Sequence, residues 1–201
     1  MTRTPQIPAW DDSGLLPPIP PGHGATSDHR TPYRSSLLEV IRRFASSKER
    51  QTILRGLLKY RRALGRAGFT HGFQWLDGSF VENVEQLRER PPADLDVVTF
   101  VELGGPTNQR RLLTLHPELF VPAQAKEQFH VDGYFVDLGT ARGQELVRRI
   151  TYWYSMWAHR RDDLRWKGFV EVALGSADED EAARLLDSLL AGQPGEPEET
   201  A

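Results

Sequence analysis

The stretch from Trp75 to Phe100 constrains the fold more than any other part of the chain. It reads WLDGSFVENVEQLRERPPADLDVVTF, in which one apolar run ends in Gly-Ser and the next begins with Asp-x-Asp. Side chains alternate along a strand, so Asp94 and Asp96 are predicted to share one face, about 6–7 Å apart. Two carboxylates at that distance repel each other unless a cation lies between them. Oxygen-only ligands suit Mg²⁺ or Mn²⁺, so the pair predicts a metal site.

Gly78 and Ser79 predict a phosphate site beside this carboxylate pair. A glycine lets the backbone approach a phosphate closely, and free N–H groups at the start of a following helix attract an anion. The Ser79 hydroxyl adds a further hydrogen-bonding group. Metal-binding carboxylates next to a phosphate site are typical of phosphoryl transfer. Either motif alone also occurs in ordinary turns and solvated strand edges, so their order along the chain is the more specific signal.

The chain has 201 residues, a length that favours one domain, with room for an added lobe. It contains no cysteine, which excludes disulfides and thiolate metal sites. The N-terminal residues lack the apolar core of a secretory signal, and no run reaches the roughly 18–20 apolar residues of a membrane helix. We therefore expect a cytoplasmic protein without a membrane segment.

Helical and strand patterns alternate along most of the chain. Residues 1–34 contain half of the chain's 14 prolines and predict an extended or disordered leader. Basic helices are predicted over residues 36–66, where two capping-box patterns begin apolar helical repeats. One domain is predicted over residues 35–191, with a disordered tail at residues 192–201.

The remaining part of that domain is predicted to be a core over residues 70–175 and a last helix over residues 179–190. Strands are predicted over residues 73–76, 94–101, 129–136 and 169–174, and core helices over residues 80–90, 107–115 and 144–158. The predicted class is α/β, more narrowly α+β: a small mixed sheet flanked by helices, with an N-terminal helical extension.

Charge is unevenly distributed along the chain. Residues 30–66 carry eleven basic and two acidic side chains, whereas residues 171–201 carry nine acidic side chains and one basic. The basic excess suggests a nucleic-acid or nucleotide partner. The alternatives are that the two regions pair with each other, or that the basic residues form an ordinary solvated helix face.

Gly78-Ser79, followed by Asp94-Leu95-Asp96-Val97-Val98, resembles the nucleotidyltransferase superfamily that shares its fold with DNA polymerase beta. The chain is similar to the minimal nucleotidyltransferases of prokaryotes, and closer still to a small uncharacterised prokaryotic group. The closer resemblance spans most of residues 15–175 and rests on Leu16-Pro17-Pro18, on the WLDGSF stretch, on Trp157 with Arg161, and on Lys167-Gly168.

This resemblance implies that Asp94 and Asp96 hold Mg²⁺ or Mn²⁺, and that a third carboxylate on a later strand joins the metal site and helps to deprotonate the acceptor. Asp132 is the favoured candidate and Asp137 the alternative. Gly78 and Ser79 would hold the β- and γ-phosphates of a nucleoside triphosphate. Its nucleoside monophosphate would pass to a hydroxyl on RNA, protein or a small molecule. A non-catalytic nucleotide- or partner-binding module of a toxin–antitoxin or phage-defence pair is the alternative function.

Two further groups of side chains have open interpretations. Lys126, Arg142 and Lys167 are candidate triphosphate ligands, or else solvated surface charges. Trp153, Tyr154 and Trp157 recur at helical spacing, so they either stack on a nucleobase or pack in the core.

Overall fold

The computed structural model describes residues 7–139 and 143–192. These residues contain a five-stranded sheet made of β1 (Tyr33–Ser35), β2 (Phe73–Asp77), β3 (Leu95–Val101), β4 (Val131–Asp137) and β5 (Val170–Ala173). The α-helices are α1 (Leu37–Phe44), α2 (Lys48–Arg66), α3 (Val84–Arg88), α4 (Gly105–Leu115), α5 (Pro117–Phe120), α6 (Pro122–Phe129), α7 (Gly143–Trp157) and α8 (Glu179–Ala191). The predicted mixed α/β class, with a sheet flanked by helices, is confirmed.

The strand order in the sheet is β1-β5-β2-β3-β4. β2 is antiparallel to both β5 and β3, whereas the β1–β5 and β3–β4 pairs are parallel. The chain crosses from β3 to β4 through α4, α5 and α6. Within the described residues, no helix is long and apolar enough to span a bilayer.

The two faces of the sheet have separate apolar cores. On one face, α1, α2, α8 and the crossover helices pack against side chains such as Leu76, Val97 and Val131. On the other face, α7 covers a smaller aromatic core that includes Trp75 and Phe100. The second core includes Trp157, and Trp153 and Tyr154 of α7 pack against it. Of the two interpretations of these aromatic residues, the structure therefore shows packing in the core.

Part of the predicted leader packs against the domain, whereas residues 21–26 are exposed. Ile7, Leu15 and Leu16 are buried, because they complete the apolar core. The Trp10 indole N–H donates to the Val81 carbonyl at 2.7 Å. Three parts of the predictions lie outside the described residues: residues 1–6, residues 193–201 of the predicted tail, and Arg142.

Two of the seven basic residues of α2 are buried, whereas the other five are exposed. Arg50 has a fully buried side chain, which donates to both carboxylate oxygens of Glu85 at 2.6 and 2.8 Å. Arg61 is also buried and pairs with Glu179 at the start of α8, with Nη2 and Oε1 2.5 Å apart. The basic and acidic regions of the sequence therefore do pair, in part, across the fold.

We predict that Arg50→Met lowers the free energy of unfolding by about 3 kcal/mol, because it removes one partner of a buried ion pair. The guanidinium also donates to the carbonyls of Phe80 and Glu82, each at 2.6 Å, and the substitution would leave both carbonyls without this partner. Urea denaturation measures the change. Arg55→Met, at an exposed position on the same helix, is the matched control and should stay within about 0.5 kcal/mol of wild type. Equal losses in the two variants would contradict this account of Arg50.

Candidate active site

Three aspartates form a row across three neighbouring strands at one end of the sheet. Asp77 at the end of β2 lies opposite Asp96 on β3, and Asp96 lies beside Asp132 on β4. Residues in register on neighbouring strands point to the same face, and this is the face covered by α7. Asp94, two residues before Asp96, lies at the same end of the sheet. The structure therefore brings together the three predicted carboxylates and adds Asp77, which the sequence analysis did not select.

The Gly78 turn lies directly against the Asp96 carboxylate. Gly78 has a φ of 83°, and a Cβ atom built there would lie 2.2 Å from Oδ2 of Asp96. Both the backbone conformation and the close contact therefore require glycine. The backbone of Gly78 therefore packs closely against the carboxylate of Asp96, next to the half-buried Ser79.

The helix after Gly78 is shorter than the sequence predicts. A continuous helix over residues 80–90 is wrong, because a 3₁₀ helix, Ser79–Val81, is followed by an extended residue, Glu82, before α3 begins. The buried Glu82 side chain explains the interruption, since it points inward to an ion pair with Lys167. A three-residue 3₁₀ helix offers an anion its backbone N–H groups but little helix dipole.

Of the two interpretations of Lys167, that of a solvated surface charge is wrong. Its side chain is 4% exposed, and Nζ lies 3.0 Å from Oδ1 of Asp77 and 3.0 Å from Oε1 of Glu82. Nζ also donates to the Gly78 carbonyl at 3.3 Å. Burial favours the neutral amine, but the two carboxylates outweigh it and raise the pKa of Lys167, so the side chain stays charged.

Two of the three predicted carboxylates have partners in the structure. Oδ2 of Asp94 lies 2.5 Å from Nζ of Lys126 on α6, and the Tyr134 hydroxyl donates to Oδ2 of Asp132 at 3.2 Å. Burial, together with the negative charges of Asp94 and Asp132, raises the pKa of Asp96 to about 6. The raised pKa shows that the fold holds negative charge at this position at an energetic cost.

The donor set fits Mg²⁺ or Mn²⁺ in its chemistry, since it consists of half-buried carboxylates on adjacent strands. However, across residues 7–139 and 143–192, no group of three or more His, Asp or Glu side chains is arranged to hold a metal ion. In this arrangement Asp94 contacts Lys126 and Asp132 contacts Tyr134.

Asp137 has a different environment from Asp132. It lies on β4 five positions after Asp132, so its side chain points to the opposite face of the sheet. Its buried carboxylate accepts from the backbone N–H groups of Leu103 and Gly139, each at 3.0 Å. Asp137 thus stabilises the turns that follow β3 and β4, and Asp132 is the one that lies beside Asp96.

A hairpin between α7 and β5 lies next to these carboxylates. His159 and Trp166 form an isolated antiparallel bridge in it, and Asp162 pairs with Arg88 of α3 at 2.7 Å. The exposed Arg161 lies in this hairpin, and its positive charge acts on Asp96 and Tyr134. In the sequence, Arg161 is only part of the resemblance, and no local pattern indicates its position near Asp96.

Comparison with known proteins gives a family but no activity. No curated protein and no solved structure shows significant similarity to the chain. A family model described as "Family of unknown function (DUF6932)" matches residues 8–173, a range that includes most of the predicted leader, the five strands and every predicted site residue. The chain therefore belongs to this family of unknown function, DUF6932.

Proposed function

We propose that the protein is a metal-dependent nucleotidyltransferase that transfers a nucleoside monophosphate from a nucleoside triphosphate to an acceptor hydroxyl. The observation that carries the proposal is the position of Asp96. Its carboxylate lies against a glycine turn on one side and beside Asp132 on the other. A structural role alone does not require half-buried carboxylates to be held together at the cost of mutual repulsion.

Each site residue has a distinct role in this proposal. Asp94, Asp96 and Asp132 would hold Mg²⁺ or Mn²⁺, which would neutralise charge on the triphosphate. Backbone N–H groups of the Gly78–Ser79 turn and the Ser79 hydroxyl would bind the β- and γ-phosphates. Arg161 is placed to offset negative charge near Asp96.

The reaction itself is an in-line displacement at the α-phosphorus. Asp132 accepts the proton of the acceptor hydroxyl, whose oxygen bonds to the α-phosphorus while the bond to pyrophosphate breaks. Holding the two reactants in line and neutralising the triphosphate supply most of the acceleration. Because nucleoside triphosphates are cytoplasmic metabolites, we place the reaction in the cytoplasm.

An exposed basic stripe on α2 supports RNA as the partner that carries the acceptor. Five cations lie at intervals of three, four or seven residues along the exposed side of this otherwise buried helix: Lys48, Arg55, Lys59, Arg62 and Arg66. They extend over about 27 Å, a length that suits several consecutive phosphates. α2 packs on the sheet face opposite to α7, so the stripe would anchor a long RNA at a distance from the reacting hydroxyl.

We predict that Asp96→Asn abolishes ligand-induced stabilisation without weakening the free protein. In wild type, Mg²⁺ with the correct nucleoside triphosphate, at about 100 times its Kd, should stabilise the fold by about 2.7 kcal/mol and raise Tm by about 5–10 °C. Asp96→Asn removes a charge that Asp94 and Asp132 repel, so the variant alone should melt at or above the wild-type temperature. Thermal melts with each of the four nucleoside triphosphates measure both effects.

Asp187→Asn, at an exposed acid on α8, is the matched control and should respond to ligand like wild type. The nucleotidyltransferase proposal should be abandoned if wild type shows no shift with any nucleotide. The same holds if Asp96→Asn shifts as much as wild type does.

We predict that the triple variant Arg55→Glu, Lys59→Glu, Arg62→Glu loses most RNA affinity. For five phosphate contacts, the logarithm of the binding constant should fall with the logarithm of salt concentration with a slope of about −3.5, and loss of three contacts should reduce this to about −1.4. Fluorescence anisotropy with labelled single-stranded RNA over a salt series measures both slopes.

The control for this variant changes the net charge by the same amount at exposed arginines of α4 and α8: Arg110→Glu, Arg111→Glu, Arg184→Glu. If the stripe on α2 binds RNA specifically, the control variant should bind RNA with nearly wild-type affinity. Equal weakening in both triple variants would mean that overall charge, and not the stripe, determines binding.

A further inference from the structure

Lys126 forms an ion pair with one member of the carboxylate group. It lies on α6, in the crossover before β4, and its Nζ is 2.5 Å from Oδ2 of Asp94. The Lys126 side chain is 54% exposed, whereas that of Asp94 is 18% exposed. The ammonium therefore reaches into the group from the solvent side, where it can be withdrawn without disturbing the core.

The balance of charge shows why Lys126 matters to this group. Lys167 is already engaged by two carboxylates, Asp77 and Glu82. Asp94 therefore depends on Lys126, whose positive charge also acts on Asp96 and Asp132. Without Lys126, three carboxylates at the start of β3 and β4 would face one another, and the positive charges that still act on Asp96 would be those of the engaged Lys167 and the exposed Arg161. A lysine ammonium is a compact charge on a flexible stem, so it can be exchanged for another cation.

We propose, building on the nucleotidyltransferase function, that Lys126 is a built-in counterion that keeps divalent metal from binding to the free protein. A metal ion alone must displace the ammonium from Asp94 and leave it without a partner. A metal ion that arrives with a nucleoside triphosphate brings phosphate oxygens to which the displaced ammonium can turn. Metal and nucleotide therefore bind together, and the free protein binds metal weakly.

Titration with Mn²⁺ alone tests this counterion role, with electron paramagnetic resonance of free Mn²⁺ as the readout. Lys126→Met should bind Mn²⁺ about tenfold more tightly than wild type, since it removes a competing ion pair and leaves the carboxylates more negative. Lys126→Arg keeps the charge and should bind like wild type. Arg184→Met removes an exposed cation from α8, on the other sheet face, and should also leave the affinity unchanged.

A double variant, Lys126→Met with Asp94→Asn, identifies the metal site, because the affinity gained by the first change should disappear with the second. Thermal melts establish that each variant is folded, and Lys126→Gln replaces Lys126→Met if the latter is not.

Adding the four nucleoside triphosphates separates the two proposals. If wild type binds Mn²⁺ with a nucleotide but Lys126→Met gains nothing with Mn²⁺ alone, the counterion role is wrong and the proposed function stands. If neither wild type nor Lys126→Met binds Mn²⁺ under any of these conditions, both proposals fail.

Discussion

The buried ammonium of Lys167 is the interaction on which the candidate site depends. It joins the end of β2, the Gly78 turn and the interrupted helix to the segment that enters β5, through contacts with Asp77, Glu82 and the Gly78 carbonyl. One buried cation between two buried carboxylates is stable only if all three are held in place by packing. The contacts of Lys167 therefore hold the Gly78 turn in place against Asp96 before any ligand binds.

This arrangement divides the negative charge at the end of the sheet into two groups. Asp77 and Glu82 are buried and form ion pairs with Lys167, so they serve the fold. Asp94, Asp96 and Asp132 are half-buried, and Asp94 pairs with the half-exposed Lys126. Carboxylates that serve the fold need a permanent cation, whereas carboxylates that bind a metal, as we propose for this second group, would need a cation that can leave. The contrast between Lys167, 4% exposed, and Lys126, 54% exposed, matches that division.

The sequence predicts the part of the site that depends on local periodicity. Alternation along a strand is enough to place Asp94 and Asp96 together and to separate Asp132 from Asp137. Lys167 could not be placed in this way, because its partner Glu82 is 85 residues away along the chain and no local pattern connects them. The starts of two crossover helices, which we did not predict, have a local sequence signal. α5 and α6 both begin at a proline, which is favoured at the first helical position.

The distribution of arginine and lysine also shows why composition alone misjudges function. Arg50 and Arg61 lie in the basic region of the sequence, yet their guanidinium groups hold α2 to α3, β2 and α8 through buried hydrogen bonds. A guanidinium is suited to this task because its planar donors can satisfy several acceptors at once. Five further cations lie on the exposed side of α2, on the opposite face of the sheet from the carboxylates. In the proposed function, an acceptor bound to both surfaces would have to be long enough to pass around an edge of the sheet, which a polymer such as RNA can do and a small molecule cannot.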